Sequence, residues 1–308
     1  MAASSRALVV RPSAKINLTL RVGAKRDNGY HDIRTLFQSV ALYDTLTISP
    51  RPGPFGIECR APGVPADQSN IVWRAAEALW RALGHAGDPR DVHIKIEKGI
   101  PAAAGLGGGS SDAAAALGAL HSLWGGRLPR RALLELAGAL GSDVPFFFHG
   151  GTALGLSRGE ELYPVDDVQR LGVILIKPSF GVSAADAYRW LDEDRAAGVA
   201  GPSVGRRRDV DVGWADLLTL DNDLEGPVAR RHPAVMEMID ACYREGAQAA
   251  AMTGSGSVVF GLFTETAAKR AARQLQRPDW LVVLTHTLSR REAGRRPIEA
   301  RRQSGRQP

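Results

Sequence analysis

The chain has 308 residues, of which 44% are hydrophobic and 23% charged, and its formal net charge is +6 at pH 7. These proportions are typical of soluble globular proteins, and they exclude a disordered chain, a collagen-like repeat and a disulfide-rich scaffold. The length is comfortable for two modest hydrophobic cores, so two packed lobes are expected.

The first hundred residues predict a mixture of strands and helices. Residues 15–22 alternate strictly between polar and apolar side chains, as in a strand with one buried face. Short β-type runs follow at 44–49 and 92–97. Between them, apolar side chains at helical spacing predict a helix over 70–83.

A glycine-rich segment, residues 105–109, then leads through Ser110, Ser111 and Asp112 into an alanine-rich helix that is predicted to reach about Trp124. The order at this place is therefore strand, glycine loop, helix.

The remainder of the chain continues the α/β pattern. Its predicted elements are a helix over 130–140, a turn at Asp143, a strand over 171–176, a helix over 184–191, an exposed loop over 198–213, a helix over 234–245, strands over 249–253 and 258–263, a helix over 265–275 and a strand over 281–285. A boundary near 160–170 predicts an N-terminal lobe over 1–160 and a C-terminal lobe over 161–289.

Most of the net charge lies at the C-terminus. Residues 290–308 hold seven Arg and two Glu, which account for +5 of the formal +6, and almost no apolar side chains. This segment is predicted to be a disordered, solvated tail. A nucleic-acid-binding arm is the alternative for it.

The two cysteines, Cys59 and Cys242, are far apart and show no metal-ligand spacing, so neither a zinc site nor a disulfide framework is indicated. The sequence also lacks a run of about 18 apolar residues and an N-terminal signal core. A cytoplasmic protein that neither spans a membrane nor is secreted is therefore expected.

The segment 101–112, PAAAGLGGGSSD, is the most informative in the chain. Successive glycines let backbone N–H groups approach an anion closely, and the following helix directs the positive end of its dipole at the same place. A phosphate group is therefore the expected ligand. The segment lacks the Lys-Ser or Lys-Thr pair of a P-loop, and Ser110 replaces the third glycine of a dinucleotide-binding fingerprint, so both of these motifs are excluded. A flexible linker is disfavoured because the segment runs directly into a helix.

Three segments together resemble the superfamily of galactokinase, homoserine kinase, mevalonate kinase and phosphomevalonate kinase, the GHMP kinases. The glycine segment resembles their ATP loop. Residues 252–257, MTGSGS, resemble their C-terminal glycine motif, which folds against that loop, and residues 12–18, PSAKINL, resemble their N-terminal motif. The resemblance extends over residues 12–261. It implies an α/β (α+β) fold of two lobes, with the active site in the cleft between them.

Four further segments are similar to one branch of this superfamily, the diphosphocytidyl-methylerythritol kinases. They are residues 29–31 (GYH), 35–38 (TLFQ), 141–147 (GSDVPFF) and 222–225 (NDLE). The departures are minor: this branch often has Ala in place of Ser142 and Gly in place of Ser157. The resemblance implies ATP-dependent phosphorylation of the 2-hydroxyl of 4-diphosphocytidyl-2-C-methyl-D-erythritol, which gives the 2-phosphate and ADP in the non-mevalonate route to isoprenoids.

The resemblance also implies which residues carry the chemistry. Asp143 would accept the proton of the attacking hydroxyl, and Lys15 would orient that carboxylate and stabilise developing negative charge. Without the flanking motifs, a turn aspartate and a surface lysine would be the preferred readings. The residues expected to bind ATP are Pro101, Ala102, Ala103, Ala104, Gly105, Leu106, Gly107, Gly108, Gly109, Ser110 and Ser111.

For the acceptor, Tyr30 and His31 are expected to bind the cytidine, because an aromatic face stacks on a pyrimidine and an imidazole can hydrogen-bond to its edge. Tyr188 is a candidate for the second stacking face, with a core residue as the alternative. Asn17 is expected to hydrogen-bond to substrate. Mg²⁺ should arrive with ATP, with Ser111 as a candidate contact, and no metal held by the protein alone is expected.

Two alternatives stay open at this point. Another GHMP kinase, of the homoserine or mevalonate type, would share the ATP loop and differ in the acceptor. A non-catalytic nucleotide-binding or RNA-binding protein is a more distant alternative, which the presence of Lys15 and Asp143 disfavours. The expected partner is a small molecule and neither a nucleic acid nor a membrane, and the sequence does not determine the oligomeric state.

Overall fold

The computed structural model describes residues 7–199, 220–294 and 299–301. Their helices are α1 (Ile71–Ala82), α2 (Gly108–Leu123), α3 (Arg130–Leu140), α4 (Phe146–His149), α5 (Ala184–Ala196), α6 (Glu225–Arg231), α7 (Ala234–Arg244), α8 (Glu265–Gln274) and α9 (Arg290–Gly294). Their strands are β1 (Ala7–Val10), β2 (Ser13–Lys25), β3 (His31–Tyr43), β4 (Thr45–Pro54), β5 (Gly56–Cys59), β6 (Arg90–Glu97), β7 (Thr152–Leu156), β8 (Glu161–Pro164), β9 (Gly172–Pro178), β10 (Ala249–Met252), β11 (Val259–Phe263), β12 (Trp280–His286) and β13 (Glu299–Arg301).

The strands form three sheets. One has the order β13-β1-β4-β6-β5, a second has the order β2-β3-β7-β8, and the third has the order β10-β11-β9-β12. Apart from β13, the first two sheets come from residues before 165 and the third from residues 172–286. This is the two-lobe arrangement that was predicted. The boundary predicted at residue 160 falls just before β8, which pairs with β7, and the lobe bounds themselves stay a prediction.

Each lobe has its own core. In the N-terminal lobe, α1 buries one face through Val72, Ala75 and Leu79, at helical spacing, and packs against α2 and the five-stranded sheet. Residues 113–116 of α2 are four buried alanines, whose small side chains let this helix lie close to its neighbours. In the C-terminal lobe, α7 and α8 cover the third sheet.

A third apolar cluster joins the two lobes. It contains Ile16 and Leu106 from the N-terminal lobe together with Leu175 and Phe260 from the C-terminal lobe, and all four side chains are at most 2% exposed. Strand β2 and the glycine loop are therefore packed directly against the C-terminal sheet.

The predicted helices and strands that fall on described residues are present, with several differences of extent. Strand β4 continues to Pro54, five residues beyond its predicted end, and β2 extends from Ser13 to Lys25. Helix α2 begins at Gly108, so Gly108–Ser110 form its first turn rather than part of a loop. Helix α5 continues to Ala196, five residues beyond its predicted end. Of the loop predicted over 198–213, only Gly198 and Val199 lie within the described residues.

The prediction of a disordered tail does not fit residues 290–294, which form α9. Arg290 donates from its guanidinium to the carbonyl oxygens of Thr152 and Val165, and from its backbone N–H to Asp167. Glu292 accepts a hydrogen bond from Arg170. Arginine therefore orders this segment by satisfying backbone carbonyls of the N-terminal lobe, which a count of apolar side chains does not detect. Residues 295–298 and 302–308 lie outside the described residues.

Candidate active site

The phosphate loop, residues 101–111, forms a cradle of backbone amides at the start of α2. Gly105 and Gly107 have φ angles of 71° and 70°, in the left-handed region that favours glycine, and Gly107 precedes the first helical residue. The first N–H groups of a helix have no intrahelical acceptor and carry the positive end of its dipole. The loop therefore offers donors to an anion.

A second loop, residues 252–257, packs directly against the phosphate loop and is called here the C-terminal loop. A Cβ atom on Gly105 would lie 2.3 Å from the carbonyl oxygen of Thr253, and one on Gly254 would lie 3.3 Å from the carbonyl oxygen of Gly105. The backbone N–H of Asn17 donates to Thr253 Oγ1 at 2.9 Å. Strand β2 and both loops thus meet at one point, which has no room for a side chain at Gly105.

Lys15 and Asp143 form an ion pair at this meeting point. Lys15 Nζ lies 3.3 Å from Asp143 Oδ2 and donates to Asn17 Oδ1 at 2.7 Å, while the Lys15 backbone N–H donates to the Leu106 carbonyl at 3.0 Å. The lysine side chain is 4% exposed and the aspartate side chain 29% exposed. The ammonium group is therefore fixed inside the protein, whereas the carboxylate can meet a ligand.

Local sequence explains why Asp143 sits where it does. Helix α3 ends at Leu140, and the following turn is anchored by Val144 and Phe146, both fully buried. The Asp143 carbonyl accepts a hydrogen bond from the Phe146 N–H at 3.2 Å, which starts the short helix α4. The apolar residues on its C-terminal side thus hold the carboxylate at the edge of the core.

The residues predicted to bind the cytidine lie at the start of β3, just after the turn that follows β2, and on α5. The rings of His31 and Tyr188 stack, with centroids 5.2 Å apart and an interplanar angle of 22°, and His31 Nε2 lies 2.8 Å from Asp192 Oδ1. Burial, together with the negative charge of Asp143, raises the pKa of Tyr188 to about 12. Tyr188 is therefore mostly buried, stacked on His31 and close enough to the Asp143 carboxylate to sense its charge.

Tyr30 differs from these two rings because it is 58% exposed. The Arg158 guanidinium carbon lies 5.4 Å from the centroid of its ring, a cation–π contact. One face of Tyr30 is thus already occupied by a cation in this arrangement, and a stacking role for Tyr30 and Tyr188 on the two sides of a pyrimidine stays a prediction.

The magnesium contact suggested for Ser111 stays a prediction. Its side chain is buried, and its hydroxyl donates to the Ser13 carbonyl at 2.7 Å. This bond ties the first turn of α2 to β2. No group of three or more His, Cys, Asp or Glu that could hold a metal ion occurs within residues 7–199, 220–294 and 299–301.

A buried charge cluster behind the phosphate loop was not predicted. Lys98 Nζ binds Asp44 and lies 2.8 Å from Asp112 Oδ2, while Asp44 Oδ1 accepts from the N–H groups of Gly99 and Ile100. Burial raises the pKa of Asp112, and the charge of Lys98 opposes that shift. The cluster fixes the chain that enters the phosphate loop. A sequence shows no signal for it, because Asp44 and Lys98 are 54 residues apart.

A cavity of about 700 Å³ opens beside the start of the phosphate loop. It is bordered by Lys98, Pro101 and Ala102 on the N-terminal lobe and by Lys177 and Trp280 on the C-terminal lobe. This volume is in the range of small-molecule and cofactor pockets. The phosphate loop thus has a pocket at one end and the Lys15–Asp143 pair at the other.

Glu225, at the start of α6, supports the C-terminal loop from behind, which was not predicted either. Its Oε2 accepts a hydrogen bond from the Met252 N–H at 2.7 Å, and the residue is 5% exposed. Burial raises the pKa of Glu225 to about 7, with a smaller contribution from the nearby charge of Asp221. The carboxyl group therefore titrates near neutral pH although it does not face the ligand side.

This raised pKa predicts a pH-dependent stability. Between pH 4.5, the ordinary pKa of a glutamate, and about pH 7, the folded chain retains a proton on Glu225 that the unfolded chain has released. The contribution of Glu225 to the free energy of unfolding therefore falls as pH rises. Glu225→Gln should remove this contribution, and relative to the parent the variant should gain up to about 3 kcal/mol between pH 4 and pH 8. Urea unfolding at both pH values measures it. Glu161→Gln, at an exposed glutamate, is the control, and its free energy of unfolding should depend on pH as the parent's does. If the free energies of unfolding of Glu225→Gln and the parent differed by the same amount at pH 4 and pH 8, the raised pKa of Glu225 would be contradicted.

Comparison with known proteins agrees with this geometry. Residues 70–151 match the GHMP kinases N terminal domain and residues 211–278 match the GHMP kinases C terminal domain. A homoserine kinase structure from Cytophaga hutchinsonii covers 94% of this chain, and the chain covers 96% of it, at a TM-score of 0.65 and 16% identity, which shows the shared fold. The fold and the paired glycine loops are those of a small-molecule kinase of the GHMP class.

More similar relatives show to which family of GHMP kinases the chain belongs. The 4-diphosphocytidyl-2-C-methyl-D-erythritol kinase of Anaeromyxobacter dehalogenans is 45% identical over 86% of this chain and 83% of its own length. The enzyme of that name from Pelotomaculum thermopropionicum is 41% identical over 90% and 97%. A crystal structure of 4-(cytidine 5'-diphospho)-2C-methyl-D-erythritol kinase superposes at a TM-score of 0.74 with 32% identity over 91% of this chain and 98% of that chain. This chain belongs to the 4-diphosphocytidyl-2-C-methyl-D-erythritol kinase family. No helix among its described residues is long and apolar enough to cross a membrane.

Proposed function

We propose that this kinase transfers the γ-phosphoryl group of ATP to the 2-hydroxyl of 4-diphosphocytidyl-2-C-methyl-D-erythritol, giving the 2-phosphate and ADP. The observation that carries the proposal is the Lys15–Asp143 pair beside the phosphate loop, with Nζ and Oδ2 3.3 Å apart. A base and a cation next to a phosphate cradle are the groups that phosphoryl transfer to an alcohol requires.

The nucleotide would lie along the phosphate loop. Its phosphates would accept hydrogen bonds from the first N–H groups of α2, and its nucleoside would occupy the cavity bordered by Pro101 and Trp280. Mg²⁺ would come with ATP, held chiefly by phosphate oxygens and water, and would neutralise phosphate charge. Ser111, whose hydroxyl oxygen keeps lone pairs free while it donates to Ser13, and the half-buried Ser110 beside it are the protein oxygens proposed to join it.

Asp143 would take the proton of the acceptor hydroxyl as the oxygen attacks phosphorus. The carboxylate is suited to this because it is partly exposed and lies 3.3 Å from a fixed ammonium group, which holds it in position. Lys15 itself would stabilise the negative charge that builds on the attacking oxygen. Asn17, which already binds Lys15, would hydrogen-bond to the acceptor.

The cytidine end of the acceptor would lie against His31, Tyr30 and Tyr188. Tyr30→Ala is expected to weaken binding of the conjugate by about 1–3 kcal/mol, because one stacking face is lost, and to raise its KM about 5- to 150-fold while sparing the KM for ATP. Steady-state kinetics with each substrate varied in turn measures this. Tyr163→Ala, at another exposed tyrosine, is the matched control. A rise in the ATP KM of Tyr30→Ala instead would mean that the two pockets are assigned the wrong way.

The function itself is tested by ADP release from the full chain with ATP, Mg²⁺ and a panel of alcohols. The cytidine diphosphate conjugate should be turned over at least a hundredfold more efficiently than homoserine or mevalonate. Preference for either of those would select a different GHMP kinase activity, and nucleotide binding without turnover of any alcohol would select a non-catalytic protein. A cytoplasmic location stays a prediction.

A further inference from the structure

We propose that Asn222 is a positioning residue for phosphoryl transfer, whose side-chain amide holds the C-terminal loop in place across the phosphate loop and the Lys15–Asp143 pair. The proposal rests on the kinase function proposed above. Asn222 lies in segment 222–225, which resembles one branch of the superfamily, but the resemblance gave this side chain no role.

Asn222 uses both of its side-chain N–H donors toward the C-terminal loop and its side-chain oxygen toward its own turn. Nδ2 donates to the carbonyl oxygens of Met252 at 2.9 Å and of Gly254 at 2.8 Å, while Oδ1 accepts from the Leu224 N–H at 3.0 Å. The residue is 6% exposed. Because it is buried and its two donors are spent on two carbonyls of one loop, this side chain determines where that loop runs.

The opposite side of the C-terminal loop contacts the phosphate loop and strand β2. The Thr253 carbonyl oxygen is in contact with Gly105 of the phosphate loop, and Thr253 Oγ1 accepts from the N–H of Asn17. The loop is therefore held between Asn222 on one side and the nucleotide and acceptor machinery on the other. If the loop moves where Asn222 holds it, its position relative to Lys15 and Gly105 must change as well.

Asn222 is itself fixed to the strand that carries Lys15. The Leu20 N–H donates to the Asp221 carbonyl at 2.8 Å, and the Asp223 N–H donates to the Leu20 carbonyl at 2.9 Å, so residues 221–223 lie along β2. Strand β2 thus positions the lysine directly and the C-terminal loop through Asn222. Strand β2 therefore sets the distance between Lys15 and the C-terminal loop.

The loop depends on such an external support because it has little of its own. Gly254 and Gly256 both have positive φ angles, 57° and 88°, and carry no side chain that could pack. Beyond the pairing of Met252 with Val259 in the β10–β11 ladder, the Gly256 N–H donates to the Thr253 carbonyl and the Thr253 N–H donates to the Val258 carbonyl. Since a misplacement of about 1 Å can cost about 100-fold in rate, loosening this loop should slow the chemical step.

Asn222→Asp separates the two functions of the side chain, which are to donate to the C-terminal loop and to accept from the Leu224 N–H. Aspartate keeps the size of asparagine and the acceptor for the Leu224 N–H, but it loses both donors and places a carboxylate against two carbonyl oxygens. Asn222→Ala removes the donors without burying a charge, so it gives a second reading should the aspartate not fold. The matched control is Thr287→Val, which removes a buried hydroxyl that bridges Leu171 and Gln169 away from the loop.

In the full chain, both Asn222 variants are expected to lower kcat about 100-fold, with the KM for the conjugate changed less than threefold. Thr287→Val should lose thermal stability but keep kcat within twofold below its unfolding temperature. Amide hydrogen exchange without substrates should speed up at least tenfold in residues 252–257 of the Asn222 variants while β11 exchanges at the parent rate.

Folded Asn222 variants with parental kcat and parental exchange in residues 252–257 would overturn the positioning role, as would an equal loss of kcat in Thr287→Val. An inactive parent protein would instead refute the proposed function, and the exchange measurement would still decide whether Asn222 holds the loop.

Discussion

Replacing Asp143 by Asn is expected to lower kcat by roughly 10²- to 10⁴-fold, the range typical of losing a general base. Asparagine keeps the size of the side chain and one acceptor for Lys15, whose Nζ lies 3.3 Å from Oδ2, so the surrounding structure should remain. It cannot take the proton of the acceptor hydroxyl. The Michaelis constants should change little, because the lost interaction forms with the reacting atoms only as the bond to phosphorus forms.

The comparison that isolates this effect is Asp240→Asn, at an exposed aspartate of α7. Steady-state kinetics at saturating ATP and conjugate should give parental kcat for the control and the large loss for Asp143→Asn. Near-parental turnover in Asp143→Asn would mean that another group accepts the proton, and the assignment of the base would be wrong.

Gly105→Ala is expected to damage the nucleotide site more than any other methyl group added to the phosphate loop. The new Cβ would lie 2.3 Å from the Thr253 carbonyl oxygen, which is backbone and cannot swing away, and φ at this position is 71°. The left-handed conformation costs about 1–2 kcal/mol for alanine, and overpacking costs about 1–3 kcal/mol. To relieve the contact, the two loops must separate, so kcat/KM for ATP should fall on the order of 100-fold.

Gly138→Ala provides the control, because it adds the same methyl group inside α3, where the nearest atom is Pro145 Cγ at 3.9 Å. Thermal unfolding and ATP kinetics of both variants measure the difference. If Gly105→Ala kept the stability and the ATP kinetics of Gly138→Ala, the close contact between the two loops would be incorrect.

The sequence was sufficient to predict those elements whose structure depends on neighbouring residues in the chain. The alternation of residues 15–22 corresponds to β2 and the helical spacing of residues 70–83 corresponds to α1. The single buried face predicted for the strand is wrong at Lys15 and Asn17, which are also buried and hydrogen-bond to each other. The glycine loop entering a helix was also visible, because positive φ angles and a helix N-terminus leave their mark in consecutive residues. Lys15 and Asp143 were found through short motifs, and the fold brings them together.

What escaped prediction lacks a local signature. Strand β3 has 13 residues but buries Thr35, Gln38 and Ser39, so polar and apolar side chains do not alternate along it. Asn222 belongs to a segment that the resemblance singled out, but its contacts with carbonyls 30 and 32 residues away were not predicted, because no pattern in a single sequence connects positions so far apart. The ordered start of the C-terminal tail was missed because arginine, rather than apolar packing, secures it.

The meeting of β2 with the C-terminal loop has a consequence for how the enzyme is made. Asn17 and Thr253 are separated by 236 residues, so a chain still being synthesised lacks one wall of the site until most of it has left the ribosome. Until then the apolar cluster around Ile16 and Leu106 has no Phe260 to cover it. Newly made chains should therefore be prone to aggregation rather than prematurely active, and folding helpers would act mainly on this exposed surface.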